Sequence, residues 1–270
     1  MTPRDGELIA RLCAQRAGLR VDPEKAYLIE SRLAPVARRE GFASVGELLQ
    51  AVRGRDEARL IWAAVEAMIL PETWFFRDAP VFHGLRDEIL PALAQRRRGQ
   101  PIRIWSAACG SGQEVYSLAL MLADAPLVTQ VELFASDLCE RLLEKARNGL
   151  YSQFEVQRGL PARLLVRHFE RRDEAFVLTP RVRQSVRWRR VNLIEDLAKL
   201  GTFDVILCRN VMRALIPAAR NRVMESLSAA LQPDGCLVLG ADEQAGAGMQ
   251  PMAGVPGVFA PEAGARAAAA

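Results

Sequence analysis

The chain is poor in the residues that build metal and redox sites. Its 270 residues include only two histidines, His83 and His168, and five dispersed cysteines without a CxxC pair. Ligands so few and so far apart exclude an obvious zinc site. An odd, scattered set of cysteines is typical of reduced and mostly buried thiols. The sequence has no signal peptide and no apolar run of membrane-spanning length, so we expect a cytoplasmic protein.

A strong charge of either sign is also missing. The formal net charge is +4, and 50% of the residues are hydrophobic. This balance permits an acidic partner but does not require nucleic acid. A chain of this length and apolar content can bury one large core or two modest ones.

Residues 1–70 carry helical signals and no strand pattern. Apolar residues recur at helical spacing, and Asp22 stands before Pro23 as a helix N-cap would. Ser44 followed by Glu47 has the spacing of a capping box. We therefore predict an all-helical amino-terminal domain over residues 1–70.

After a linker and connecting helix at 71–99, the pattern changes. Over residues 100–245 short apolar strands alternate with helices, which predicts βαβ units and a mostly parallel sheet. Between about 160 and 191 this alternation breaks into shorter segments, which predicts a small antiparallel β insert. Residues 246–270 are mostly Ala, Gly, Pro and Met with almost no charge, so we expect a disordered tail.

The stretch "IWSAACGSGQE" joins a strand to a helix through two glycines, Gly110 and Gly112. A phosphate-binding loop would add a third glycine, where this chain has Val115, or a following lysine. Glu114 at the helix start and Asp137 at the next strand end would repel a phosphate but suit a cation and ribose hydroxyls. The pattern indicates a nucleoside ligand without phosphate, of which S-adenosylmethionine is the obvious case. An ordinary tight turn beside a capping acid explains this motif pair equally well.

Further motifs extend the comparison along the chain. "PETWFFRD" precedes the glycine turn, and "FASD", "LEKARNGLY", "VNL" and "FDVILCRNVM" follow it. From about residue 5 to 245 this ordered set resembles the CheR family of chemoreceptor glutamate O-methyltransferases. The resemblance implies an α/β fold of the S-adenosylmethionine-dependent methyltransferase (Rossmann-like) type. It also implies a mostly parallel sheet with a small antiparallel β insert, preceded by an all-helical domain.

The resemblance also implies functional residues and partners. Residue by residue, the family's cofactor contacts fall on Thr73, Arg77, Glu114, Asp137, Asn192, Leu193, Arg209 and Asn210. Arg77 would also be catalytic, holding the substrate carboxylate or orienting the cofactor. The basic residues Arg32, Arg38 and Arg39 of one helix would bind the acidic methylation helices of a chemoreceptor cytoplasmic domain, although an ordinary solvated face explains them equally well. We expect a monomer that neither inserts into a membrane nor binds nucleic acid.

Methyl transfer to a glutamate side chain suits a chain with so few histidines. A glutamate side chain is already ionised near neutral pH, so it attacks a sulfonium methyl without a general base. Catalysis then depends on alignment and on removing water from the nucleophile.

Two alternatives arise from departures in the sequence. Ala214 replaces a family tyrosine thought to position the reacting groups, so a cofactor-binding adaptor with weak or lost activity is one alternative. Residues 158–190 hold ten arginines, which makes an RNA methyltransferase the other. The aromatic residues of that stretch, Trp188 among them, show no stacking-platform pattern for bases, which counts against this alternative.

Overall fold

A computed structural model describes residues 1–54, 57–125, 127 and 129–262. The chain divides into two compact units. The first unit contains Met1–Leu70 and Arg213–Arg222, and the second contains Pro71–Met212 and the residues from Val223 on. Among the described residues, no helix combines the length and apolar character needed to cross a membrane.

The first unit is helical, as predicted. Its four main helices are α1 (Pro3–Ala17), α2 (Ala26–Arg39), α3 (Val45–Gly54) and α4 (Ala58–Ala67). Each buries an apolar face against the others, with Ile9, Leu33, Leu48 and Leu60 at 1% exposure or less.

The helix starts of this unit were predicted with mixed success. Ser44 Oγ accepts a hydrogen bond from Glu47 N at 3.2 Å, which confirms the predicted cap of α3. The prediction for Asp22 is wrong, because α2 begins at Ala26 with Lys25 as its N-cap. Asp22 instead accepts a hydrogen bond from Glu24 N at 3.1 Å and closes a turn before the helix.

The second unit begins with a helical connection. It consists of α5 (Ala79–Gly84), a π-helical turn at Leu85–Ile89, and α6 (Leu90–Arg97). The strands that follow are β1 (Ile102–Ala107), β2 (Val131–Asp137), β3 (Leu150–Ser152), β4 (Phe169–Arg172), β5 (Ala175–Leu178), β6 (Val186–Arg190), β7 (Phe203–Leu207), β8 (Leu231–Val238), β9 (Met249–Pro251) and β10 (Val258–Pro261). The helices between them are α7 (Gln113–Asp124), α8 (Glu140–Asn148), α9 (Gln153–Gln157), α10 (Ala162–His168), α11 (Pro180–Arg183) and α12 (Pro217–Ala229).

A seven-stranded sheet forms the centre of this unit, in the order β6-β2-β1-β7-β8-β10-β9. Its first five strands run parallel, and β10 is antiparallel to both of its neighbours. Ile104 in β1 pairs with Leu133 in β2 and with Val205 in β7. All five residues of β7 are buried, as expected for a parallel strand covered on both faces. The fold class is therefore confirmed.

The predicted bounds of the antiparallel insert are wrong at both ends. The small sheet has the order β3-β5-β4 and runs from Leu150 to Leu178; we call Leu150–Leu178 the insert. The later stretch "VRWRR" is β6, an edge strand of the main sheet, in which Trp188 pairs with Ala135 of β2. The Trp188 ring packs 5.5 Å from that of Tyr116, and arginines on either side face solvent. Charged residues of this kind keep an exposed sheet edge from pairing with another chain. They also give this strand of the main sheet a composition that led to its assignment to the insert.

The prediction of a disordered tail is wrong for residues 246–262. Strands β9 and β10 complete the main sheet, and Leu239 N donates a 2.8 Å hydrogen bond to Gly257 O. Val258 and Phe259 are 1% and 7% exposed, so even a short apolar pair in a low-complexity segment contributes to the core. The predicted tail residues 263–270 lie outside the described part of the chain.

Candidate active site

The carboxyl ends of β1, β2, β6 and β7 lie at one edge of the main sheet, where open α/β sheets bind their ligands. Backbone strain is concentrated in the segments near this edge. Among the described residues, six other than glycine have a positive φ, and four of these lie there: Phe76 (51°), Asp78 (58°), Ala108 (54°) and Asn210 (63°). Such conformations cost of order 1–3 kcal/mol each and cluster at functional sites.

Asp137 fixes the glycine loop at the end of β2. Its Oδ2 accepts from Gly110 N at 2.8 Å and its Oδ1 from Cys139 N at 2.9 Å, and the residue is 5% exposed. Gly110 has a φ of 58°, and a Cβ placed on it would lie 3.3 Å from Thr73 Cγ2. Thr73 therefore lies beside the glycine loop at Gly110, where no side chain covers the backbone.

Arg209, just beyond β7, connects three segments of the site. Its Nη1 donates to Glu114 Oε2 at 3.2 Å, and its Nη2 donates to Arg77 O at 2.9 Å and to Asp78 Oδ2 at 2.5 Å. The other oxygen of Glu114 accepts from Ser106 Oγ at 2.8 Å. The Arg209 side chain is 1% exposed, so these contacts compensate a charge removed from water.

Arg77 is held against its own segment. Its Nη1 donates to Glu72 O at 2.6 Å, and its guanidinium carbon lies 4.2 Å from the centre of the Trp74 ring. A cation in this position is attracted to the face of the ring, which restricts the otherwise flexible arginine side chain.

Asn192 and Leu193 lie in the turn after β6. Val191 N donates to Asp137 O at 3.1 Å, which brings this turn beside the end of β2. Asn192 is 8% exposed and its Nδ2 donates to Glu195 Oε1 at 3.2 Å, whereas Leu193 is half-buried. The structure thus brings the predicted acids, arginines and the Asn192 turn to one sheet edge, while their individual roles stay predictions.

Glu243 is a residue that the sequence reasoning missed. Its carboxylate accepts from Asn210 N at 2.7 Å, Met212 N at 2.7 Å and Gly240 N at 2.9 Å, and it is 9% exposed. It therefore holds Asn210 in its left-handed conformation. The available signal was the acidic pair Asp242 and Glu243 shortly after the last parallel strand, in a stretch otherwise almost without charge.

The predicted receptor-binding arginines belong to the first unit. All three lie on α2, where Arg32 is half-buried and Arg38 and Arg39 are exposed. Arg39 Nε donates to Glu40 Oε1 at 3.1 Å.

In the same unit Ala214 is exposed, and its carbonyl accepts from Arg20 N at 2.8 Å.

The residues at the sheet edge fit a nucleoside that carries a positive charge. Each oxygen of a carboxylate has two acceptor positions, so Asp137 can accept ribose hydroxyls in addition to its two backbone donors. Gly110 leaves the backbone bare, and Glu114 adds negative charge where a cationic group would lie. Among the residues the structure describes, no group of His, Cys, Asp and Glu could hold a metal ion. Fold and site together define the class of α/β proteins that bind a nucleoside at the carboxyl edge of the sheet.

The family models and the curated relatives agree with this class. Residues 71–253 match the family model described as "CheR methyltransferase, SAM binding domain", and residues 4–68 match "CheR methyltransferase, all-alpha domain". Chemotaxis protein methyltransferase 1 of Pseudomonas aeruginosa is 34% identical over 246 residues, which cover 88% of this chain and 89% of the relative. The protein of the same name from Vibrio cholerae is 36% identical over 240 residues, 86% of either chain. A solved TehB-like SAM-dependent methyltransferase from Corynebacterium glutamicum has a TM-score of 0.37 at 16% identity, over 68% of this chain and 96% of that one.

The chain therefore belongs to the CheR methyltransferase family. Its cofactor is S-adenosylmethionine. The resemblance stated from the sequence is confirmed.

Proposed function

We propose that this chain transfers the methyl group of S-adenosylmethionine to glutamate side chains of chemoreceptors, forming methyl esters. The observation that supports this proposal most directly is the family match over both domains, together with relatives that are named chemotaxis protein methyltransferases. The five cysteines are all free and buried, which favours action in the reducing cytoplasm.

We assign a different part of the cofactor to each group of residues at the sheet edge. Asp137 would accept the ribose hydroxyls, and the Asn192–Leu193 turn beside it would contact the adenine. Glu114, held by Ser106 and Arg209, would face the amino-acid end of the cofactor. When bound, S-adenosylmethionine supplies an electrophilic methyl group on a sulfonium centre.

Arg77 is the residue we assign to the substrate. Its guanidinium is restricted by Trp74 and by Glu72 O, so it can orient a carboxylate without first losing much conformational freedom. Ionised glutamate needs no general base, so the residues around it need only align it and exclude water.

The basic residues of α2 supply the second part of the proposal. Arg32 and Arg38 have no ion pair with any described residue, and Arg38 is exposed. We assign this surface to the acidic methylation helices of the receptor, with the chain acting as a monomer. An exposed arginine attracts an acidic partner mainly by raising the rate of encounter, so this contact should weaken as salt increases.

The test uses cofactor labelled in its methyl group, the purified chain and a purified receptor cytoplasmic fragment. We expect label on glutamates of the fragment that is released as methanol by mild base, as an ester requires. Glu114→Gln should reduce incorporation at least about tenfold by removing the charge near the cofactor, while Glu132→Gln, a half-buried position of β2 outside the site, should leave it unchanged. Label that survives base, or no label despite cofactor binding, would contradict the proposal.

A further inference from the structure

The insert contacts the glycine loop through one buried tyrosine. Tyr151 of β3 donates its hydroxyl hydrogen to Ser111 O at 2.7 Å, and the residue is 0% exposed. Ser111 lies between Gly110 and Gly112, so this bond is made to the backbone of the loop itself. Burial raises the pKa of Tyr151 well above its ordinary value of 10.0, so the hydroxyl stays a neutral donor.

A second contact reaches the segment that carries Arg77. The guanidinium carbon of Arg158, also in the insert, lies 3.9 Å from the centre of the Trp74 ring that Arg77 occupies at 4.2 Å. Next to it, Gly159 has a φ of 86°, and a Cβ there would lie 2.0 Å from Phe75 O. The backbone of the insert therefore lies directly against the "PETWFFRD" segment, and only glycine fits at this point.

Aromatic packing joins these two contacts. The Phe75 ring is edge-on to Tyr151 at 5.0 Å and to Phe169 of β4 at 5.8 Å. Both Phe75 and Tyr151 are fully buried. A displacement of the insert would therefore be transmitted to the glycine loop and to the Arg77 segment together, because close-packed cores deform little.

We propose that Tyr151 and Arg158 are positioning residues for the methyl-transfer site, Tyr151 by fixing the glycine loop and Arg158 by fixing Arg77 through Trp74. This inference rests on the proposed function, because it assumes that the loop and Arg77 contact cofactor and substrate. Neither residue is among the cofactor contacts that the family resemblance implies. The insert thereby becomes part of the catalytic framework as well as a surface element.

The first test compares two buried tyrosines. Tyr151→Phe keeps the ring and removes only the hydroxyl, and we expect S-adenosylhomocysteine, titrated by calorimetry, to bind about fivefold more weakly because Ser111 O loses its donor. Tyr116→Phe is the matched control, since Tyr116 is also 0% exposed and donates to Ala146 O at 2.8 Å, in α8 and not in the loop. Its affinity should stay within about twofold of the original. Thermal stability should fall in both variants, which separates positioning from a merely structural role.

The second test separates Arg158 from the other arginines of the insert. Arg158→Met should lower kcat about fivefold, because a cation over a ring contributes about 1 kcal/mol, and Arg158→Lys should restore most of the rate. Arg172→Met, which changes an exposed arginine 3.7 Å from Glu170, should leave kcat unchanged.

The outcomes distinguish this inference from the function on which it rests. If the unmodified chain binds S-adenosylhomocysteine but Tyr151→Phe binds it equally well, the positioning role is wrong and the proposed function stands. The same holds if Arg158→Met turns over normally. If the unmodified chain binds no S-adenosylhomocysteine, the proposed function fails and this inference fails with it.

Discussion

At the scale of single residues, Arg209 holds the segments of the site together. It is a buried cation shared by Glu114, Asp78 and the backbone carbonyl of Arg77. Removing one partner from a buried pair costs about 3–5 kcal/mol, because the remaining charge stays in a poorly solvating environment. Substitutions at Arg209 would thus mix loss of stability with loss of binding, and the same holds for its partner Glu114, so the unfolding midpoint of Glu114→Gln is measured beside its activity and binding.

Ala214 offers a cleaner test of catalysis. It is exposed and ends a single 3₁₀ turn, so a larger side chain requires no repacking of the core. We predict that Ala214→Tyr, which supplies the tyrosine that the family resemblance implies here, raises kcat severalfold with an unchanged unfolding midpoint. Steady-state methyl transfer to the receptor fragment measures the effect.

Ala214→Phe serves as the control for this substitution, since it supplies the ring without the hydroxyl. If phenylalanine raises kcat as much as tyrosine does, the ring alone positions the substrate. An unchanged kcat in both variants would show that other groups already do so.

The sequence predicted residues that belong to recognisable motifs and missed those that support them. Glu114 and Asp137 follow from their places at strand and helix ends beside a glycine turn. Glu243 follows the last parallel strand and Tyr151 ends the "LEKARNGLY" stretch, but neither position indicates that the side chain binds the backbone of a segment far away in the chain. Contacts of that kind depend on tertiary packing and leave no local pattern.

At the scale of elements, the turn between β1 and α7 has a strict steric requirement. Gly112 has a φ of 91°, and a Cβ on it would lie 2.9 Å from Ala146 Cβ and 3.1 Å from the Trp188 ring. This glycine lets α7 approach both α8 and β6. The requirement combines backbone conformation with close packing.

We predict that Gly112→Ala lowers the free energy of unfolding by about 2–4 kcal/mol through conformational strain and overpacking. Gly99→Ala is the control, because Gly99 has a similar φ of 89° but no atom within 4 Å of the Cβ position. That variant should lose only about 1 kcal/mol. Equal losses in urea unfolding would contradict the packing argument.

Strands are easiest to recognise from the sequence where the pattern is regular. The strands β1, β2 and β7 are apolar, and each is followed by a recognisable turn or helix start. Strand β6 carries three arginines in five residues. Its place in the main sheet is decided by pairing with β2 and by Trp188, which composition does not reveal.

At the scale of the whole molecule, the end of the sheet opposite the proposed site is fixed by ion pairs. Arg97 of α6 contacts Asp204 at the start of β7 and donates to both oxygens of Asp234 at 2.9 and 2.7 Å. Asp204 also accepts from Arg103 N at 2.7 Å. The connection that carries α6 is thereby attached to the sheet at the end away from the glycine loop.

This cluster predicts a pH dependence of stability. The hydrogen bonds from Arg97 hold the pKa of Asp234 below its ordinary value of 3.8. Because the folded state lowers this pKa, the contribution is fully present above 3.8 and is lost as the pH falls through the folded value. We predict that Asp234→Asn is less stable than the original chain near neutral pH, and that the difference shrinks below about pH 4.

Urea unfolding from about pH 7 to 3 measures this difference. Asp242→Asn is the control, since Asp242 is exposed and has no ion pair among the described residues. A difference between Asp234→Asn and the original chain that stays constant down to the lowest pH would contradict the assignment.

The order of the domains was predicted correctly, but the two strands that complete the main sheet were not predicted. Helical and alternating patterns separate the two parts of the chain near residue 70, where the structure also divides it. The last two strands, β9 and β10, lie in a segment whose composition is typical of disorder. They are ordered because β10 pairs with the edge of β8, β9 pairs with β10, and Val258 and Phe259 are buried in the core.

We propose that the sheet edge near Gly110 binds a nucleoside that has a cationic centre and no phosphate. Calorimetric titration of S-adenosylmethionine, S-adenosylhomocysteine and NAD into the purified chain tests it most directly. We predict saturable heat with the first two compounds, a marked loss of it in Glu114→Gln, and none with NAD. Tight binding of NAD without binding of either S-adenosyl compound would contradict the account.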